Sequence, residues 1–218
     1  MLDFLKRIPE GAGDGTPLMV LLHGRGSDMN DLQGLRQSLP REVALVTPRA
    51  PHPGAPWGYG FGWAWYRYLG DDRPDAQSLQ TSLQALDDFL APLPDHLGFQ
   101  PGPMVLGGFS QGGTTSLAYA LSRPGAAHGI VNLSGFLPEV PGMGLSLEVL
   151  KETPLFWAHG NQDPAVPFGL ARKGWKTIQE AGGRLEAKEY AMGHWVSPEE
   201  MEALGAWLKR EIPDWPTG

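Results

Sequence analysis

The chain has 218 residues, no cysteine, and 24 acidic against 17 lysine and arginine side chains, for a formal charge of −7. The missing cysteines exclude thiol nucleophiles, zinc thiolates and disulfides, and they lead one to expect a reducing, cytoplasmic setting. No cluster of lysine or arginine occurs, which argues against nucleic acid and anionic membranes as partners, since both bind through clustered cations.

At about 150 residues per domain the length suits a single domain over residues 1–218. The start, MLDFLKRIPEG, has no apolar signal core, and no window approaches the roughly 18 apolar residues of a membrane span. Stable membrane insertion is therefore not expected.

In chain order, residues 4–8 suggest a short edge strand, and Leu18–Leu22 is a continuous apolar run that reads as a strand buried on both faces. A helix over about 30–39 follows, capped by Asn30 or Asp28, with Leu32, Leu35 and Leu39 on one face. Residues 43–46 form a second buried strand. The stretch 51–74 packs three tryptophans, three tyrosines and a phenylalanine among glycines and prolines, an ordered excursion whose aromatics must bury somewhere. Asp75 opens an amphipathic helix carrying Leu79, Leu83, Leu86, Leu90 and Leu93, which Pro92 and Pro94 help to end; Asp71 and Asp72 read as cap or turn residues. Further strands are expected at Met104–Phe109, Gly129–Leu133, 155–158 and 184–190. Helices are expected after Ser110, over 167–181, and from Ser197, where Ser-Pro-Glu-Glu spells a capping box. Residues 136–153 read as a loop with a turn or two. Alternating strands and helices with apolar strands imply an α/β fold, a mostly parallel sheet with helices on both faces and sites at the strands' carboxyl ends.

Gly108-Phe109-Ser110-Gln111-Gly112, between a strand and a helix, fits the G-x-S-x-G pattern of a nucleophile elbow. A serine hydroxyl needs a base, and the base needs a carboxylate to fix its tautomer. His194 lies between the last strand and last helix, where this topology places a general base. Asp163, the only carboxylate between Glu152 and Glu180, follows the preceding strand. His23 and His159 read as ties between loops, and His52, His96 and His128 as surface residues. Two backbone N–H groups should receive an oxyanion, that of Gln111 and, from the loop after the first buried strand, that of Arg25. No lysine completes a phosphate loop at 107–114, no histidine or carboxylate spacing suggests a metal, and no cofactor is implied. The sequon Asn132-Leu133-Ser134 falls in an expected buried strand.

The ordered motifs LLHGRGSD, TPRAP, AWYR, GFSQGG, HGNQDPAVP and MGHWVSPEE resemble the α/β-hydrolases of the phospholipase/carboxylesterase group, which includes acyl-protein thioesterases. The resemblance implies a Ser110/Asp163/His194 triad, an oxyanion hole from the Arg25 and Gln111 amides, ester hydrolysis through an acyl-enzyme, and no large lid domain. It also implies that residues 51–74 help line the acyl site. The position of Arg25 is apolar in that group's thioesterases, so its guanidinium either pairs with Asp28 or meets a polar or anionic part of the substrate. Trp63 and Trp65 are candidates for the acyl wall, where their mutation should alter chain-length preference more than stability. Trp195 either packs over the His194 ring or shapes the leaving-group side. The leading expectation is a serine carboxylesterase for small acyl esters. A thioesterase or lysophospholipase for longer chains, a binding protein without turnover, and a homodimer remain open.

Overall fold

The computed structural model describes residues 1–70 and 73–217, so the reading of Asp71 and Asp72 lies outside the described residues. In chain order the strands are β1 (Phe4–Arg7), β2 (Leu18–Leu22), β3 (Ala44–Pro48), β4 (His52–Pro53), β5 (Trp63–Ala64), β6 (Met104–Phe109), β7 (Gly129–Leu133), β8 (Leu155–Gly160) and β9 (Leu185–Tyr190). Among the described residues, seven of them form one sheet in the order β1-β3-β2-β6-β7-β8-β9, and β4 pairs with β5 apart from it. Within the large sheet only β1 runs antiparallel, as an edge strand against β3, and the other ladders are parallel. This is the α/β-hydrolase fold expected from the sequence.

Every residue of β2, β3, β7 and β8 is buried, because the sheet is covered on both faces. Leu18, Val20 and Leu22 pack with Leu79, Leu83 and Leu86 of α1 (Ala76–Leu90) on one face. Met19 and Leu21 pack with Met201, Leu204 and Leu208 of α6 (Pro198–Glu211) on the other. Each fully buried leucine contributes about 1.5–3 kcal/mol, so the period-two alternation of β2 anchors both helix layers at once.

The expected helix starts have specific caps. Asp75 Oδ2 accepts the Ser78 N–H at 2.9 Å, and the Ser197–Glu200 capping box is complete in both directions. Three expectations need correction. The segment after Asn30 is a 3-10 helix, Asp31–Ser38, and Asn30 makes no side-chain cap; Asp28 Oδ1 instead accepts the Asn30 N–H at 2.8 Å. Pro92 and Pro94 do more than end α1, for they open a second helix, α2 (Leu93–Leu97), where a proline loses no intrahelical bond. The aromatics of 51–74 do not all bury. Trp65 and Tyr66 do, but Phe61 is fully exposed at a tip where Gly58 and Gly60 adopt φ of 76° and 78°. The sequon asparagine is buried as expected, with Asn132 Oδ1 accepting the Gly135 N–H at 2.9 Å.

Among the described residues the remaining helices are a 3-10 turn, Ala55–Trp57, and α3 (Gln111–Ser122), α4 (Val149–Glu152) within the 136–153 loop, and α5 (Phe168–Glu180). From β2 the chain moves to β3 on one side, and β6 then pairs on the other side of β2. The carboxyl ends of β2 and β6 therefore flank a topological switch point, where loops diverge and leave a crevice.

Candidate active site

Ser110 sits at the end of β6 with φ 55° and ψ −116°, a conformation that L-residues seldom adopt. Close approach explains its neighbours. A Cβ on Gly112 would come within 2.0 Å of Leu22 O, and one on Gly108 within 2.5 Å of the same oxygen. The strain is held by two bonds, Ser110 N–H to Leu133 O at 2.7 Å and Thr114 N–H to Ser110 O at 3.1 Å. The helix α3 begins at Gln111, so its first N–H groups have no intrahelical acceptor and point toward the turn.

His194, in the loop between β9 and α6, places Nε2 2.9 Å from Ser110 Oγ and Nδ1 2.6 Å from Asp163 Oδ2. A carboxylate only accepts, so Nδ1 carries the proton and the Nε2 lone pair faces the serine hydroxyl. Asp163 Oδ1 accepts the N–H groups of Ala165 and Val166 at 2.8 and 2.9 Å, which aims Oδ2 at the imidazole. The Phe109 ring lies 4.6 Å from the His194 ring, centroid to centroid, and supports it from the side.

His23 and His159 tie loops, as their positions suggested. His23 Nδ1–H donates to Gly24 O at 2.7 Å, and Nε2 accepts the Ala50 N–H at 3.0 Å. His159, the penultimate residue of β8 rather than a residue beyond it, donates from Nε2 to Val166 O at 2.9 Å. Burial lowers the pKa of both rings and keeps them neutral. A neutral His159 leaves the charge of Asp163, 3.5 Å from its Nε2, to His194. His96 and His128 are exposed, and His52 is half-buried.

The segment bearing Arg25 is clamped by the aromatic excursion. Gly26 N–H donates to Trp63 O at 2.8 Å, and Trp63 N–H to Ser27 O at 2.7 Å. Trp65 Nε1–H donates to His23 O at 3.0 Å. The Gln111 side chain completes the link, its Oε1 accepting Trp65 N–H at 2.8 Å and its Nε2 donating to Tyr66 O at 2.7 Å. One short stretch, Trp63–Tyr66, thus holds both segments that carry the expected oxyanion donors.

These contacts correct the reading of the tryptophans, none of which lines the cavity above Ser110. Trp65 is wholly buried in the core. Trp63 has the Arg49 guanidinium 3.9 Å from its ring centroid. Trp195 is 57% exposed, and its indole lies against the backbone of Gly193. Arg25 does not pair with Asp28; its guanidinium lies 4.9 Å from the Tyr59 ring centroid. The cavity holds about 220 Å³, and its lining includes an apolar group, Phe136, Ala165 and Val166, together with Arg25, Tyr66 and Tyr68. Sequence reasoning missed the apolar group. Its residues follow the ends of β7 and β8, so the rule that sites form there would have found them.

A family model described as Phospholipase/Carboxylesterase matches residues 5–212. The chain belongs to that family. It is 31% identical over 216 residues to acyl-protein thioesterase 1 of Saccharomyces cerevisiae, with 89% of this chain and 92% of the relative covered. The crystal structure of esterase PE8 superimposes with a TM-score of 0.78 at 28% identity, covering 97% of this chain and 99% of that one. The carboxylesterase of Bacillus cereus shares the fold, with a TM-score of 0.80 at 21% identity over 97% of this chain and 95% of that one. The protein is thus a serine hydrolase of the carboxylesterase and acyl-protein thioesterase family. Among the described residues, no helix is long and apolar enough to cross a membrane.

Proposed function

We propose that the protein is a serine carboxylesterase that hydrolyses small acyl esters through an acyl-enzyme on Ser110. The observation that carries this reading is the hydrogen-bonded line from Asp163 Oδ2 through His194 to Ser110 Oγ, with bonds of 2.6 and 2.9 Å, opening into a cavity of about 220 Å³. His194 Nε2 takes the Ser110 proton as Oγ attacks the ester carbonyl. The Asp163 carboxylate stabilises the resulting imidazolium, and the N–H groups of Gln111 and Arg25 receive the oxyanion. The imidazolium then protonates the departing alkoxide. A water deprotonated by His194 attacks the acyl carbon and releases the acid. The cavity lies below the roughly 300–1,000 Å³ of typical ligand sites, which favours short acyl groups. The substrate is a small-molecule ester, residues 1–218 act as a single domain, and the lack of cysteine supports a cytoplasmic setting.

A panel of chromogenic esters tests the reading on wild type and Ser110→Ala, together with labelling by a fluorophosphonate. Wild-type turnover should exceed the variant's by a factor of 10³ or more, on the order of the loss seen when a triad member is removed, and only wild type should label. Equal rates would overturn it. The kinship with acyl-protein thioesterase 1 favours a second reading, thioester hydrolysis on longer chains. In that case rates rise with acyl length, and thioesters outrun the matching esters.

A further inference from the structure

The cavity above Ser110 has one wall whose chemistry simple ester hydrolysis does not use. Arg25 lines it with an exposed side chain, next to the N–H proposed as an oxyanion donor. Among the described residues no carboxylate pairs with its guanidinium. Asp28, the acid nearest in sequence, is engaged instead, its Oδ1 accepting from Asn30 N–H at 2.8 Å and Asn30 Nδ2 at 3.1 Å. What holds the guanidinium is the Tyr59 ring, at 4.9 Å. Among the described residues its N–H donors make no hydrogen bond, so they are available to a ligand. The guanidinium edge matches a carboxylate, which can take two parallel hydrogen bonds from it. Asp31 also lines the cavity, so an anion is drawn in only where the guanidinium outweighs that carboxylate. The group formed by Phe136, Ala165 and Val166 is apolar and offers an anion no donor side chain.

The geometry points to Arg25 as a specificity-determining residue that selects esters bearing a carboxylate near the scissile bond, with the guanidinium edge as its receptor. This rests on the esterase reading above and names the substrate class of the same site. The carboxylate can sit on the acyl or the alcohol side, and two substrate pairs separate these sources. The acyl pair is the p-nitrophenyl monoester of glutaric acid against p-nitrophenyl pentanoate, equal in chain length and differing in charge. The alcohol pair is 3-carboxyphenyl acetate against its methyl ester. For each pair the ratio of kcat/KM, charged over neutral, is measured in wild type, Arg25→Leu and Arg25→Lys. Ratios cancel any general loss that a substitution causes through the neighbouring backbone N–H.

In at least one pair the ratio should fall about tenfold in Arg25→Leu, equivalent to about 1.4 kcal/mol. Arg25→Lys should recover part of it. The wild-type ratio should also shrink as salt rises from about 0.05 to about 0.5 M, where the screening length drops below about 5 Å. Equal ratios in wild type and Arg25→Leu for both pairs would overturn the assignment of Arg25 while leaving the esterase reading intact. No turnover of any of the four substrates would overturn both.

Discussion

Replacing Gln111 with leucine separates the two contributions of that residue. Its backbone N–H stays at the start of α3, while the side-chain amide that ties the elbow to the aromatic excursion is lost. Leucine has nearly the volume of glutamine, so no large void opens. What remains is an unsatisfied Trp65 N–H and an unsatisfied Tyr66 carbonyl, which formed bonds of 2.8 and 2.7 Å to Gln111. Both residues are buried, so water cannot substitute. Each orphaned group costs about 1–3 kcal/mol, together about 2–6 kcal/mol, a large share of a total stability of about 5–15 kcal/mol. At about 2–4 °C per kcal/mol for a chain of this length, the melting temperature should drop by roughly 5–20 °C. The same slackening reaches the Gly26–Trp63 pairing and with it the Arg25 segment, so kcat should fall about tenfold, one oxyanion donor being worth a factor of about 10²–10³. Thermal unfolding by circular dichroism and initial rates on p-nitrophenyl acetate at 25 °C measure the two effects. A melting temperature within about 2 °C of wild type, with unchanged kcat, would refute the clamp.

Two further outcomes follow from buried groups. Trp65→Phe deletes the indole donor to His23 O and should lower stability by about 1–3 kcal/mol, with activity falling alike across an acyl-length series; a changed length profile with unchanged stability would return Trp65 to the pocket. Burial lifts the Glu200 carboxyl from 4.5 to about 7. Its contribution to stability is therefore full below about pH 4.5, is lost as pH rises toward 7, and stays lost above, a penalty of up to about 3 kcal/mol. Glu200→Gln keeps an acceptor for the Ser197 N–H and removes the titration. In urea unfolding it should gain on wild type between pH 5 and pH 8, and an equal difference at both pH values would refute this.

Local patterns identified most elements because each has a local cause. The unbroken apolar run of β2 requires burial on two faces. The Ser197–Glu200 capping box satisfies its own helix start. The glycines around Ser110 record how closely Leu22 approaches. From these the order of strand ends, and so the candidates Ser110, Asp163 and His194, could be read directly from the chain. Only the tertiary structure decided which side chains face the cavity. Trp65 and Tyr66 are neighbours in an aromatic-rich stretch, and nothing local says that Tyr66 lines the cavity while Trp65 is spent on His23 O. Phe136 and Val166 come from loops far apart in the chain, brought together by parallel pairing of β7 with β8. The partner of Arg25 was equally out of reach, since composition cannot tell a nearby aspartate already engaged by Asn30 from a tyrosine ring 34 residues downstream. Local backbone geometry and burial period are properties of short segments, and so the sequence carries them. The identity of a cavity wall depends on which loops converge, and that is a property of the sheet.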